Sequence, residues 1–211
     1  MRLNNNTYLI YFKILNRFLS KSLLMHDIEP YHNWQKYYQA DKDMRSPFFG
    51  REYSIYYEND VYGYYIDPRW DDIGSETLYL KILYTDYTNN VAVIELFGEW
   101  NDTLHNDIMH LKRNVIDRLL KNGIDKFILI AENLFQFHGG DQDYYEEWFE
   151  DVEDGWVSII NAPEFILSEM QKYRLDYYLN FGGTLQFDNW RTLKPKRLFE
   201  LVNALMQRRL G

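Results

Sequence analysis

The sequence predicts an α/β or α+β fold, in which a mixed β-sheet begins with an antiparallel hairpin and has helices packed on it. Two apolar stretches flank the turn at residues 88–90 and predict this hairpin. After residue 98, apolar strands alternate with amphipathic helices as far as the C-terminus. The chain has 211 residues, of which 46% are hydrophobic, and this is enough to form a sizeable core.

The first 24 residues differ in charge from the rest of the chain. They contain four basic residues and no acidic one, whereas the whole chain has a net charge of −9. This contrast predicts a basic N-terminal extension, residues 1–24, that is not part of the native protein, with the true start at Met25. The alternative is a basic amphipathic helix that lies on a membrane surface.

Residues 25–76 are predicted to form an aromatic-rich N-terminal extension that extends or covers the sheet. Residues 26–52 are interrupted by prolines and a glycine, which predicts irregular or short helical structure. The aromatic runs REYSIYY and VYGYYI predict a first hairpin around residues 58–60. The stretch DPRWDDIGS, which follows, is predicted to be a loop.

Residues 77–211 are predicted to form the α/β domain. A helix over residues 103–122 follows the second hairpin, because its apolar residues recur at helical spacing. KFILIAENL predicts a buried central strand. WVSIIN and LDYYLNF predict two further strands, PEFILSEMQKY predicts a helix between them, and KPKRLFELVNALMQRR predicts the closing helix.

The composition argues against several classes of function. A net charge of −9 disfavours nucleic acid as a partner, and membranes too unless residues 1–24 are retained, because phosphate binding needs clustered Lys and Arg. The absence of cysteine removes thiolate catalysis, disulfides and Cys-based metal sites, as expected of a cytoplasmic protein. No Walker loop, Rossmann fingerprint or H-E-x-x-H motif occurs. We therefore predict no cofactor, no metal site and no catalytic residues.

The acidic stretch DYYEEWFEDVEDGW is predicted to be an amphipathic helix. Its aromatic residues share one face, and its carboxylates fill the other. Asp143 and Glu146 have the spacing of a capping box. The acidic face is convex and receives no ligands from other elements, so the prediction is a solvated face and not a metal or catalytic site.

Candidate binding residues lie where two predicted strands end. One group occupies the loop before the acidic helix: His138, Gly139, Gly140, Asp141 and Asp143. Such a loop offers a titratable histidine, glycines that permit close approach, and free N–H groups at a helix start. The alternative is an ordinary loop whose glycines serve turn geometry. The second group is Trp100, either a core residue or an exposed anchor, and Asp102, which with Asn101 is a natural helix cap.

The order of strands and helices over residues 77–209 has a known counterpart. VAVIELFGEWND runs into a long helix, and KFILIAENLFQFHGGDQDYYEEWF places a strand before a loop and a helix. This arrangement resembles the STAS domain of anti-sigma-factor antagonists, which implies a regulatory module that docks onto another protein. From Met25 onward the sequence is also similar to a bacterial family without an assigned activity.

Two functional hypotheses follow from these patterns. The first is a STAS-like regulatory or protein-docking module without a phosphorylatable switch residue, since residues 138–143 contain no Ser or Thr. The second is an enzyme or small-molecule binder that uses the same loop at the carboxyl edge of the sheet. An exposed, flat loop around His138 favours docking, whereas a deep pocket there favours the second hypothesis.

Overall fold

The computed structural model describes residues 28–210, so the prediction for residues 1–24 lies outside the described residues. The α/β class is confirmed, because helices accompany a five-stranded mixed sheet and a separate two-stranded hairpin. The strands are β1 (Asp60–Val61), β2 (Tyr64–Tyr65), β3 (Asp71–Asp72), β4 (Leu78–Asp86), β5 (Val91–Asn101), β6 (Lys126–His138) and β7 (Trp156–Ile160). Strands β3 to β7 are neighbours in chain order. Strands β3, β4 and β5 pair antiparallel, whereas β5, β6 and β7 pair parallel.

The predicted helices are present, although the first is divided. The helices are α1 (Asp102–His105), α2 (Asp107–Leu111), α3 (Asp117–Leu120), α4 (Asp143–Asp151), α5 (Glu164–Lys172) and α6 (Pro195–Leu210). Asn106 adopts a left-handed conformation with φ of 53° and separates α1 from α2. A π-helical segment, Lys112–Ile116, joins α2 to α3. Within the described residues, no helix has the length and apolarity needed to cross a membrane.

Both faces of the sheet are buried, because successive side chains of its central strands point to opposite faces and most of them are apolar. On the first face, Ile94 and Leu129 pack against α2 to α5. On the second face, Val93 and Ile128 pack against α6. Strand β5 is therefore buried along its whole length. Parallel strands of this kind need a covering layer on each side.

Residues 28–70 contribute to the cover of the second face. Trp34 packs edge-on against both Tyr31 and Trp190, with ring centroids 5.6 and 5.5 Å away, and its Nε1 donates to the carbonyl oxygen of Leu193 at 2.9 Å. Trp70 is also buried on this face. The aromatic N-terminal segment thus packs directly on the sheet and on the segment that leads into α6.

Two predictions about local structure were wrong around the first hairpin. Its turn lies at Tyr62 and Gly63, not at residues 58–60, because both residues have positive φ (49° and 79°), as a two-residue hairpin turn requires. The predicted loop DPRWDDIGS also contains β3, which pairs with β4 and lengthens the sheet.

The predicted strand LDYYLNF is largely absent. Residues Leu175–Tyr177 form a 3₁₀ turn, and only Asn180 makes an isolated bridge, to Ser158 in β7. The buried residues of this stretch include Leu175 and Leu179, which lie four apart. That spacing places both side chains on one side of a helical turn, whereas a strand would need alternation.

Candidate functional site

The predicted binding loop packs tightly against its own protein. The carbonyl oxygen of Gly139 accepts a hydrogen bond from Thr103 Oγ1 at 2.7 Å. A Cβ atom at Gly139 would lie 2.4 Å from the ring of Tyr173, and one at Gly140 would lie 3.1 Å from Asp102 Cβ. Close packing inside the protein therefore requires a glycine at position 139 and favours a small residue at position 140, and this geometry agrees with the ordinary-loop alternative.

Trp100 and Asp102 form a buried network beneath this loop. Trp100 is 0% exposed and is a core residue, and its Nε1 donates to Asp102 Oδ1 at 2.9 Å. Tyr145 Oη donates to the other carboxylate oxygen at 2.6 Å. Burial raises the pKa of Asp102 to about 6, although these donors act in the opposite direction. Asn101 is the N-cap residue, as predicted, and its side chain accepts from Leu104 N.

His138 and the loop aspartates have different partners. The half-exposed ring of His138 places Nε2 2.8 Å from Gln136 Oε1 and 3.5 Å from Glu99 Oε1. Asp141 and Asp143 are exposed at the start of α4, where Asp141 Oδ1 accepts from the backbone N–H of Asp143. Repulsion from Asp141 raises the pKa of Asp143. The structure thus brings Gly140 against Asp102 and places His138 beside Gln136 and Glu99.

The capping box predicted at Asp143 is wrong. Gln142 occupies the N-cap position of α4 and makes no side-chain capping bond. Its amide nitrogen donates instead to the carbonyl oxygen of Tyr173 at 2.6 Å, which ties the loop to the end of α5. Asp143 is consequently the first helical residue, where its negative charge still interacts favourably with the helix dipole.

The acidic face of α4 is not wholly solvated, contrary to the prediction. Glu147 and Asp151 converge with Asp117 on the ammonium group of Lys112, a side chain that is 0% exposed. Lys112 Nζ lies 3.2 Å from Glu147 Oε1 and 2.7 Å from Asp151 Oδ2. Burial alone would lower the pKa of Lys112, but the carboxylates outweigh it and the pKa is raised.

The three carboxylates around Lys112 have the arrangement of a cation site. One oxygen from each of Asp117, Glu147 and Asp151 lies within 4.8 Å of the others. Because the Lys112 ammonium bonds to all three, it acts as their cation and ties α4 to the α2–α3 region. Arg113 adds two hydrogen bonds to Glu147, each at 2.5 Å, and these lower the pKa of Glu147.

A second group of buried charges was missed by the sequence analysis. Lys81 and Glu95 lie opposite each other on β4 and β5. Lys81 Nζ is 3.2 Å from Oδ2 of the buried Asp71, whose Oδ1 accepts from Tyr53 Oη at 2.8 Å. Burial raises the pKa of Asp71 and lowers that of Lys81. The available signal was a single charged residue in the middle of each apolar strand, which indicates a buried partner.

Glu95 joins the sheet to the segments that cover it. Its Oε2 accepts from the backbone N–H of Tyr31 at 2.8 Å, and its Oε1 accepts from Asn133 Nδ2 at 3.2 Å. Arg191 approaches to 3.6 Å and pairs mainly with Glu132. Burial raises the pKa of Glu95 to about 7, although the Tyr31 N–H and Arg191 oppose this shift.

A cleft of about 580 Å³ lies between the N-terminal segment and β4. Its wall includes Tyr31, Tyr53 and Arg69, and Lys81 lies on the strand that borders it. The volume is within the range of small-molecule sites. No residue of the loop at 138–143 lines this cleft.

Comparisons with known proteins give a structural likeness but no match to a protein family. No protein-family model matches the chain, and a search of curated proteins finds no match. Among solved structures, the chain is similar to the anti-sigma factor antagonist SpoIIAA in its unphosphorylated form, with 13% sequence identity and a TM-score of 0.40. The match covers 60% of this chain and 96% of that one. The resemblance to STAS domains is thus weak, and it is consistent with the one found in residues 77–209.

Glu95→Gln is expected to raise the free energy of unfolding above that of the wild type, and this gain should be larger at neutral pH than at acidic pH. A carboxyl whose pKa rises on folding from 4.5 to about 7 is protonated more readily in the folded state, so the wild type loses stability as pH rises through this window. Gln cannot ionise, which removes a loss of up to about 3 kcal/mol.

Urea unfolding of both proteins at pH values below and above this window measures the effect. The exposed Glu58→Gln variant serves as the control and should show no such pH-dependent gain. A Glu95→Gln difference that is the same at both pH values would mean that the buried carboxylate pays no penalty for ionising.

Calcium and magnesium are expected to leave the melting temperature of the wild-type protein unchanged, because the Lys112 ammonium already occupies the position between the three carboxylates. Lys112→Met removes the ammonium group from these partly exposed carboxylates, leaves Asp151 without its ion pair, and should cost about 2 kcal/mol. It should also create a calcium-dependent rise in melting temperature. Arg113→Met is the control, with a smaller loss and no calcium response. A calcium-dependent rise in the wild type would contradict this account.

Proposed function

We propose that the chain is a STAS-like regulatory module that docks onto another protein through residues 138–143 and Leu104, here called the docking surface. The observation that most supports this proposal is the exposure of Leu104, a residue that is 76% exposed in α1, the helix that borders the loop. Two bonds hold it there: Leu104 N donates to the Asn101 cap, and Thr103 Oγ1 donates to Gly139. A rigidly presented apolar side chain is a typical anchor of a protein interface.

The filled interior of the loop supports docking over ligand capture. Gly139 lies against Tyr173, and Gly140 lies against Asp102, so the space that two glycines leave is taken by the protein itself. The cleft of 580 Å³ is lined by other residues. A loop whose glycines pack on the protein itself offers a partner its outer surface, which fits a macromolecular contact better than a small ligand.

The charge of the docking surface indicates the chemistry of the partner. Asp141 and Asp143 are both exposed, and their mutual repulsion raises the pKa of Asp143. A Lys or Arg side chain placed beside this pair would relieve the repulsion. We therefore expect a protein partner with an apolar pocket for Leu104 beside a basic patch, and an association rate that falls with salt.

The proposal does not require phosphorylation of the loop, because residues 138–143 contain neither Ser nor Thr. Without phosphorylation, regulation depends on whether the partner is present and on whether other proteins compete with it for the docking surface. Catalysis is not part of the proposal.

Photo-crosslinking from position 104 in native cells is expected to capture a protein partner, whereas the same crosslinker at Phe165, an exposed aromatic residue of α5, should not capture it. With the purified partner, Leu104→Ala should weaken binding at least about tenfold, as loss of a buried anchor does. The paired change Asp141→Asn and Asp143→Asn should reduce the salt dependence of the association rate.

Phe165→Ala is the matched control and should leave the dissociation constant unchanged. Melting curves establish that each variant is folded. Capture from position 165 and not from 104, or full affinity in the Leu104→Ala variant, would refute the docking surface.

A further inference from the structure

The cleft between residues 30–69 and β4 carries an inference that is independent of the docking surface, since the two share no residue. The cleft is lined by apolar, aromatic and charged side chains, and its volume of about 580 Å³ suits a small organic molecule. Which molecule it suits depends on how its charges are already paired.

The cations that line the cleft already have carboxylate partners. Lys81 is 3.2 Å from the buried Asp71. Arg69 donates to both oxygens of Asp67, at 2.9 and 2.7 Å, and also pairs with Glu29. Neither cation is therefore available to an anionic ligand without the loss of an existing ion pair, which makes phosphate or carboxylate compounds poor candidates.

Asp41 is the exception among the charged residues of the lining. Among the described residues, its carboxylate takes part in no hydrogen bond or ion pair, although it is partly buried and lies within electrostatic range of Lys81. A partly desolvated carboxylate without a partner is stabilised by a cation that enters beside it. Among the charged residues that line the cleft, Asp41 is thus the one whose carboxylate has no hydrogen-bonded or ion-paired partner among the described residues.

Aromatic rings line the same cleft as Asp41. The lining includes Tyr31, Tyr38, Tyr53 and Tyr57. Lys81 Nζ lies 3.8 Å from the centroid of the Tyr53 ring, so the same cleft already holds one ammonium group against a tyrosine face. Tyrosine faces attract ammonium groups electrostatically, and several rings with a carboxylate form a recognised way to bind alkylated ammonium ions.

We propose that this cleft binds a small molecule that carries an ammonium group, with Asp41 as its counter-ion and the tyrosine rings around its alkyl groups. The cleft is larger than an ammonium group alone, so the ligand has an additional organic body that contacts apolar lining residues such as Ile55 and Leu83. Binding leaves the ion pairs of Lys81 and Arg69 intact.

Two matched pairs of probes test the charge requirement directly. Choline is compared with 3,3-dimethylbutan-1-ol, its neutral isostere, and benzylamine is compared with benzyl alcohol. Saturation-transfer NMR and isothermal titration calorimetry on the full chain measure the binding of each probe. We expect at least one ammonium probe to bind and its neutral counterpart to bind at least about tenfold more weakly.

Asp41→Asn is expected to weaken the binding of the ammonium probe by a similar factor. Asp60→Asn, which changes an exposed residue of β1 outside the cleft, should leave that binding unchanged. The comparison of charged and neutral probes in the wild type holds even where a variant folds poorly. Equal binding of the neutral isosteres, an unchanged affinity in Asp41→Asn, or no binding of either ammonium probe at millimolar concentration would overturn the proposal.

Discussion

Strand β5 is buried from Val91 to Asn101, so both of its faces need a covering layer. Helices α2 to α5 cover the first face, while α6 covers only part of the second. The remainder is covered by residues 28–70, which polar and aromatic contacts hold against the sheet and against the segment that leads into α6. The backbone N–H of Tyr31 donates to the buried Glu95, and the rings of Tyr31, Trp34 and Trp190 pack edge-on against one another. The part of the second face that α6 does not cover depends on these contacts for its burial.

This cover explains why charged residues are found inside the sheet. Lys81 and Glu95 would face water on a one-sided sheet, but residues 28–70 cover this face, so that Glu95 is buried and only 13% of the Lys81 side chain is exposed. Desolvation lowers the pKa of Lys81 and raises that of Glu95, and both shifts favour the neutral side chain. The carboxylate of Asp71 opposes the shift of Lys81, and the N–H of Tyr31 opposes that of Glu95. The cleft is the part of this layer that the covering segment leaves open. The docking surface lies elsewhere, at the strand ends that α1 and α4 follow.

Periodicity predicted most of the fold, because it reports which side of an element faces the core. The second hairpin, β6, β7 and the helices α4 to α6 follow directly from apolar spacing. The strand predicted for LDYYLNF was wrong. Its aromatic residues favour a strand, whereas its buried leucines at 175 and 179 have the spacing of a helical turn. The hairpin at Tyr62 depends on positive φ at a tyrosine, a conformation that local pattern does not indicate.

The site was less predictable, because its features arise from contacts between distant segments. The residues around Lys112 come from two helices more than thirty positions apart, and no local pattern of the acidic helix indicates a buried lysine facing it. Gly139 and Gly140 were correctly placed between a strand and a helix, yet tertiary packing against Tyr173 and Asp102 determines what they do. Lys81 and Glu95 were visible as charges within apolar strands, but their partners, among them Tyr31 and Asp71, come from distant segments of the chain.

Amide hydrogen exchange at Tyr31 tests most directly whether the N-terminal segment is an integral layer of the fold. Its N–H donates to a carboxylate that is 0% exposed, so it should exchange nearly as slowly as the amides of β5, through opening close to global unfolding. The amide of Glu58, an exposed residue of the same segment, should exchange far faster. Exchange of the Tyr31 amide at the rate of an unstructured peptide would contradict this account, because it would mean that the segment does not stay packed on the sheet.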